Sequence, residues 1–424
     1  MLRSLMLALA LAGCIVAGTA GMRTSGPPRP PPPRYEAVEP RAGSSFIQGH
    51  WEWQGQWVWI AGHWERERAE QAPPVVVETP PSAPPPSAPP PSNPNAIVQL
   101  TAGENHTCTL SASGQIRCWG YNKQGCLGVG SQSDPADGYV TGIEGTVRTI
   151  ASGEYHTCAI TTRGAVWCWG LNFAGQVGTG EASDTPIIKP VRIALDKVRA
   201  LHMGKKTSCA ETVDRTLYCW GDNTSHLFDD SSSRTIAKPT RVRDVEAPDL
   251  VAVGSYHLCT AKGGRVRCRG QLEPVNLSML TNVTALSAGW AHSCALMGGK
   301  PYCWGQSYLG ILGNGDVCGK QGGECTSQLR PPAAVAGVEG ATQLSTGIYH
   351  SCVISGGGAV TCWGNNQGHS FSDELPAEPH QTAHLLAGWT ADSVHVGGVH
   401  VCVVKGGVAS CRGNDRYGAM RGAR

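Results

Sequence analysis

Gly103-Glu-Asn-His106-Thr-Cys108-Thr-Leu-Ser-Ala-Ser-Gly114-Gln-Ile-Arg-Cys118-Trp119-Gly120-Tyr-Asn122-Lys-Gln-Gly125-Cys126-Leu-Gly128-Val-Gly130 is a phrase whose parts return along the chain. Its elements are Gly-x-x-His-x-Cys, a short turn, Cys-Trp-Gly, and an Asn-containing loop that ends Gly-rich. Cysteine pairs nine or ten residues apart recur seven times: Cys108 and Cys118, Cys158 and Cys168, Cys209 and Cys219, Cys259 and Cys268, Cys294 and Cys303, Cys352 and Cys362, Cys402 and Cys411. Successive first cysteines are separated by 50, 51, 50, 35, 58 and 50 residues. One supersecondary unit is therefore repeated seven times, with one shortened and one lengthened copy. A period near 50 indicates a propeller or an array.

The spacing within a pair is that of a hairpin. Three pairs have Gly-Gly at the midpoint, at 263–264, 298–299 and 406–407, which suits a two-residue loop with positive φ. Three of the longer pairs have a three-residue loop ending in Gly114, Gly164 or Gly358, where an αL residue is needed. Counting outward puts both cysteines in the fourth cross-strand pair, a non-hydrogen-bonded one with Cα atoms ~4.5 Å apart. A disulfide accepts roughly 4.4 to 6.8 Å, so each pair is expected to be bridged. Val213-Asp214-Arg215 departs from this scheme, having no glycine at the turn.

With 41% hydrophobic residues, 55 Gly and only four Phe in 424 residues, the chain has the composition of a turn-dense all-β protein. A net charge of +2 without a basic block gives no nucleic-acid surface. No Gly-rich phosphate loop or nucleophile elbow is present, and the acidic residues fall in no motif, so the reading is non-enzymatic with no cofactor. The recurring His and Cys do not make a metal site, because oxidised thiols are not ligands. The six histidines His106, His156, His257, His292, His350 and His400 are expected to hydrogen-bond within their blades.

The chain opens with Arg3, an apolar run from Leu5 to Leu11, and Leu11-Ala12-Gly13-Cys14. This resembles a bacterial lipoprotein signal (1–13) with lipidation at Cys14; a plain secretory signal is the alternative, and the run is too short to span a membrane. Either reading sends the protein out of the cytoplasm, where disulfides persist. Ile15 after the lipidated cysteine favours the outer membrane or cell surface. A proline-rich tether (14–45) and a second proline-rich linker (69–95) read as stiff spacers. Of the remaining cysteines, Cys318 and Cys325 are expected to close a small loop, leaving Cys126 as an intermolecular, reactive or buried thiol.

Between the spacers (46–68) lie Trp51, Trp53, Trp57, Trp59 and Trp64, five of the thirteen tryptophans. Their alternation about Gly55 predicts a hairpin with Trp53 opposite Trp57 and Trp51 opposite Trp59. The segment resembles the bacterial WXXGXW repeat, fully at Trp59-Ile-Ala-Gly62-His63-Trp64. It reads either as an aromatic platform for sugar rings or as a self-packing mini-hairpin.

The repeats from 96 to 424 resemble those of the regulator of chromosome condensation family in its secreted bacterial form with paired cysteines. That resemblance implies a seven-bladed β-propeller, one disulfide-bridged hairpin per blade, and ring closure, with a segment near Ile97 to Leu100 completing the last blade. Repeat four is short and lacks the Asn-Gly loop, repeat five carries an insertion around Cys318 to Cys325, and Arg269 and Arg412 replace the tryptophan. The leading functional expectation is a lipid-anchored binding or scaffold propeller presenting loops to an envelope protein or glycan. The alternatives are an inhibitor of an extracellular enzyme, an exchange-factor-like regulator, and a propeller enzyme with ionisable groups clustered at the channel mouth.

Overall fold

The computed structural model describes residues 44–47, 50–54, 56–61, 63–66, 93–228, 233–315 and 329–420. Cys14 with its signal, the proline-rich segments through residue 92, and Cys318 and Cys325 lie outside the described residues. The chain divides into two units, Met1–Ser87 and Ala88–Arg424. In the first, His50–Trp53 pairs antiparallel with Trp57–Ile60, placing Trp51 opposite Trp59 and Trp53 opposite Trp57. Ser44–Ile47 pairs antiparallel with His63–Arg66.

The second unit is all-β, a seven-bladed propeller whose blades are sequential antiparallel meanders. Blade 1 comprises Ile97–Ala102, His106–Ser111, Ile116–Gly120 and Ala136–Tyr139; blade 2, Val147–Ser152, His156–Thr161, Val166–Asn172 and Ser183–Arg192. Blade 3 comprises Val198–Met203, Thr207–Thr212, Leu217–Asp222 and Thr235–Arg241, and blade 4 only Leu250–Val253, His257–Lys262 and Arg265–Gly270. Blade 5 comprises Val283–Ala288, His292–Met297, Lys300–Gly305 and Arg330–Ala334; blade 6, Gln343–Thr346, His350–Ile354, Ala359–Asn365 and Pro379–Thr390. Blade 7 has three strands, Ser393–Val396, His400–Lys405 and Val408–Gly413. The first strand of each blade lines the axis.

All seven hairpins are disulfide-bridged, the paired cysteines standing directly opposite with Cα atoms 4.1 Å apart. The turns adopt the expected backbone: Gly263 and Gly264 have φ of 56° and 72°, and Gly114, Gly164 and Gly358 lie at 83°, 78° and 82°. At the aberrant turn Arg215 itself takes φ 63°. Its guanidinium donates to Pro248 O at 2.9 Å and stands 3.6 Å from Glu211, contacts that hold a side chain where glycine is cheaper.

The histidines act between blades rather than within them. His106 Nε2 lies 3.1 Å from Thr157 Oγ1 of blade 2, His156 2.8 Å from Ser208 of blade 3, His257 2.7 Å from Ser293, and His292 3.1 Å from Ser351. His400 reaches Thr107 of blade 1 at 2.9 Å and so closes the ring. The partner is always the residue after the next repeat's histidine position, which no reading confined to one repeat reveals. These hydroxyls also donate onward, Thr157 to Cys126 O, Ser208 to Gln176 O and Thr107 to Ala419 O. The same carbonyls accept the indole N–H of Trp169, Trp220 and Trp119, and Ile311 O accepts that of Trp363. Each Asn-Gly loop is thus a latch that fills the neighbouring blade's polar requirements. Cys126 is free and buried, its carbonyl serving the latch and its thiol donating to Tyr121 O at 2.8 Å; burial pushes the thiol's pKa up.

Two seams are built differently. Between blades 3 and 4, Thr207 stands at the histidine position, Leu258 at the hydroxyl and Arg269 at the tryptophan; between blades 6 and 7, His350 faces Val401 and Arg412. There the latch carries Phe228 or Phe371, both fully buried, and His226 or His369 with positive φ takes the place of Gly125. Phe228 packs with Val251 and Leu258 of blade 4, and Phe371 with Val394 and Val401 of blade 7. The phenylalanine thus occupies the seam as the tryptophan does elsewhere, and Arg412 stacks 4.7 Å over Trp389. His350 is left without a partner on either ring nitrogen. Trp304 is also unpartnered at its N–H, because repeat four has no latch to offer it a carbonyl.

The expected completion of the last blade by Ile97 to Leu100 is corrected. That segment is the innermost strand of blade 1, paired with His106–Ser111, and it touches blade 7 through Ile97 N–H donating to Gly407 O. Each unit begins one strand before its Gly-x-x-His phrase, so the leading segment belongs to its own blade. Closure comes from the C-terminal latch Asp415-Arg-Tyr-Gly418-Ala419-Met420, which docks on Thr107 and Trp119.

Burial pushes His106, His156, His257, His292 and His350 down to about 3 and His400 to about 4. The unfolded chain binds protons at these imidazoles near pH 6.5 and the folded ring does not, so stability is present above pH 6.5 and is lost as pH falls towards 3. The loss approaches roughly 1.4 kcal/mol per histidine per pH unit. Thermal unfolding followed by circular dichroism should show a midpoint falling steeply through this window, and a flat profile would refute the neutral-histidine seams. Val401→Thr, which supplies the hydroxyl that His350 lacks, should raise stability by about 1 kcal/mol in denaturant titration.

Candidate functional site

The site is built from the glycines of Gly-x-x-His. Gly103, Gly153, Gly204, Gly254, Gly289, Gly347 and Gly397 form a ring around the axis, each facing the carbonyl of the next. A Cβ on Gly103 would lie 2.1 Å from His106 Cε1 and 2.8 Å from Gly153 O, so the axis closes only on residues without side chains. The residue after each glycine borders the mouth: Glu104, Glu154, Lys205, Ser255, Trp290, Ile348 and Gly398. The depression they enclose has a volume of about 80 Å³. That is well below the ~300 to 1,000 Å³ of sites that engulf small molecules, and is on the scale of one inserted side chain.

One side of the mouth is charged. Lys205 Nζ stands 2.9 Å from Glu154 Oε1, and the Glu154 and Glu104 side chains are hydrogen-bonded to one another. Burial, followed by the Glu104 contact, holds Glu154 well above the usual carboxylate range. Tyr155, raised by burial and by these two carboxylates, lies 5.2 Å from Tyr121 in a tilted pair, and Tyr121 meets Tyr417 edge-on at 5.4 Å. The opposite side is aromatic: Trp290 contacts Tyr308 and Tyr349, both at 5.6 Å, and Tyr256 at 6.3 Å. Glu104 Oε2, Trp290 Nε1 and Tyr308 Oη are buried and have no protein partner. Unpaired buried polar atoms are costly; Glu104 and Trp290 line the mouth, and Tyr308 packs against Trp290.

Towards the other end of the axis the channel is lined by hydroxyls and two histidines, His202 and His395. The hydroxyls are already used between inner strands, as in Thr346 N–H to Ser287 Oγ at 3.0 Å and Val396 N–H to Ser345 Oγ at 3.0 Å. Among the described residues no group of three or more His, Cys, Asp or Glu is placed to hold a metal.

The five tryptophans Trp51, Trp53, Trp57, Trp59 and Trp64 all fall in the separate N-terminal unit. The insertion of repeat five falls outside the described residues. Reading the sequence named a channel mouth but none of its residues, although their signal is present: the two variable positions of each Gly-x-x-His phrase, taken across seven repeats.

Three segments of the chain, 97–126, 147–176 and 341–369, match the family described as Regulator of chromosome condensation (RCC1) repeat. They run from the innermost strands of blades 1, 2 and 6 to their latches. The ultraviolet-B receptor UVR8 of Arabidopsis thaliana is 28% identical over 296 residues, 63% of this chain and 65% of the receptor, so the chain spans about two thirds of that relative's length. Among solved structures, Prp20p of Saccharomyces cerevisiae, studied for its binding to Gsp1p and histones, is similar with a TM-score of 0.61 at 17% identity, over 71% of this chain and 80% of that one. Yeast RCC1 (Prp20) in complex with Kap60 gives 0.59, also at 17% identity, over 71% and 78%. These likenesses agree with a seven-bladed propeller of RCC1-type repeats and indicate no catalytic family.

Glu154 holds in the folded state a proton that the unfolded chain releases near 4.5. Its contribution is complete in acid and is lost as pH rises through the raised value. Glu154→Gln, which cannot ionise, should therefore gain thermal stability relative to the parent on going from roughly pH 6 to pH 9. A difference independent of pH would exclude the raised titration of Glu154.

Proposed function

We propose that this protein is a non-enzymatic binding propeller of the cell envelope that engages a protein or glycan partner through its axial mouth. The observation that carries the reading is that Glu104 Oε2 and Trp290 Nε1, both on residues lining a cavity of side-chain size, are buried and unpartnered, as is Oη of Tyr308, which packs edge-on against Trp290. Such a mouth accepts one anchoring group at its centre, beside Trp290 and the tyrosines packed on that ring, the arrangement of an interface hot spot. The ionisable cluster that a propeller enzyme needs is present, but the cavity is too small for a polymer substrate and Lys205 already occupies Glu154. The seven disulfides suit an oxidising extracellular compartment, and among the described residues no helix is long and apolar enough to cross a membrane. Anchoring is assigned to lipid on Cys14, with the proline-rich stretches as spacers and the tryptophan hairpin as an accessory aromatic platform.

A photo-crosslinking residue placed at Ile348, on the mouth, should capture a partner in intact cells, whereas one at Val213, on the opposite face, should not. The Glu104→Ala, Trp290→Ala double variant should reduce capture by roughly tenfold or more while the fold is retained. Equal capture from both faces, or none lost in the double variant, would reject the axial mouth. In the same cells Cys14→Ser should move the protein out of the membrane fraction; retention there would reject lipid anchoring.

A further inference from the structure

Blades 4 and 7 stop at three strands, and blade 4 leaves a charged edge. In its hairpin Cys259 and Cys268 form the close, non-hydrogen-bonded kind of pair. Alternation then has Arg265, Arg267 and Arg269 bonding inward to His257–Lys262, and turns the backbone N–H and C=O of Val266 and Cys268 outward. At the position of Val266 in four other blades, the carbonyls of Ile116, Val166, Leu217 and Pro301 accept the N–H of Val140, Ile193, Val242 and Val335 from the fourth strand or the residue beyond it. Blade 4 has no such strand. A cavity of about 440 Å³ lies against the edge instead, bordered by Arg265, Val266, Arg267 and Cys268 on the strand and by Glu273, Val275 and Leu277 of the segment that follows. Cys268 is half-buried, whereas its counterparts Cys118, Cys168, Cys219, Cys303 and Cys362 in the four-stranded blades are fully buried.

The side chains say what fits the edge. Arg265 and Arg267 are exposed on one face of the strand, two residues apart, while Val266 on the other face is buried. Among the described residues neither arginine is ion-paired; Lys262 beside them lies 4.0 Å from Glu246. A strand added here sets alternate side chains beside the two arginines and the intervening ones over Val266. Pairing with the same edge of a second copy would set arginine against arginine, which opposes self-association.

We propose that the open edge of blade 4 binds an extended acidic segment of a partner protein, which adds as the blade's missing fourth strand. Main-chain bonds to Val266 and Cys268 supply affinity, and carboxylates at alternate positions opposite Arg265 and Arg267 supply selectivity. This surface is distinct from the axial mouth and stands or falls independently of it.

The test uses the full chain and a fluorescein-labelled peptide in which Glu alternates with Val, read by fluorescence anisotropy. Binding is expected, weakened about tenfold or more by N-methylation of the amides that face the edge, and similarly for a block peptide of the same composition. Arg265→Glu with Arg267→Glu should also weaken it about tenfold or more while the thermal midpoint is preserved. The N-methylated and block peptides keep the charge and need no variant protein, so a misfolded variant does not decide the matter. No binding up to about 1 mM, or equal binding of the three peptides, overturns the proposal. Single-stranded DNA binding as tightly as the alternating peptide would show a general polyanion site and overturn it too.

Discussion

The close approach of seven glycines around the axis is the constraint on which the ring depends. Each inner strand ends on a glycine whose missing side chain admits the next blade's carbonyl, and at Gly103, Gly153, Gly254, Gly289 and Gly397 its own blade's imidazole edge as well. Any Cβ there would push two blades apart. Ring radius, blade number and seam geometry are therefore set at one layer, and the disulfides stiffen hairpins already positioned by it. The bridges act within blades, and nothing covalent crosses a seam among the described residues.

What crosses the seams is polar. At the seams between blades 1 and 2, 2 and 3, and 7 and 1, a buried imidazole, a hydroxyl, a latch carbonyl and an indole N–H bond to one another. The arrangement keeps the histidines neutral and makes a latch loop of one blade part of the next blade's core. Where one member changes, the others change with it: Arg269 and Arg412 at the tryptophan position coincide with Leu258 and Val401 at the hydroxyl and with Phe228 and Phe371 in the latch. An apolar seam then replaces the polar one, at the residual cost of an unpartnered His350.

What was legible in the sequence was local. Paired cysteines about a Gly-Gly or x-x-Gly midpoint define strand, turn and register within a dozen residues, and the Trp51 to Trp59 alternation does the same for the N-terminal hairpin. The histidine partners lie 36 to 59 residues ahead, or 293 behind, so a reading confined to one repeat assigned them wrongly. Closure was misplaced for a related reason: the repeat was phased on its conspicuous phrase rather than on the plain strand before it. The residues of the mouth escaped because each repeat contributes a single unremarkable one. Glu104, Glu154 and Lys205 become a cluster only when seven separate copies are superposed.

The two seam chemistries give the repeats an order. A latch ending in Gly-x-aliphatic offers a free carbonyl to tryptophan and hydroxyl, while one carrying His-x-Phe fills that space with a ring and suits only an arginine-bearing neighbour. Copies that look alike in the alignment of their cysteines are thus unlike at their sides, and a transposed blade would meet a neighbour with the wrong complement. The ring behaves less as seven copies of one unit than as a sentence whose words agree with those beside them, and duplication of a repeat in such a chain is constrained by grammar as well as by fold.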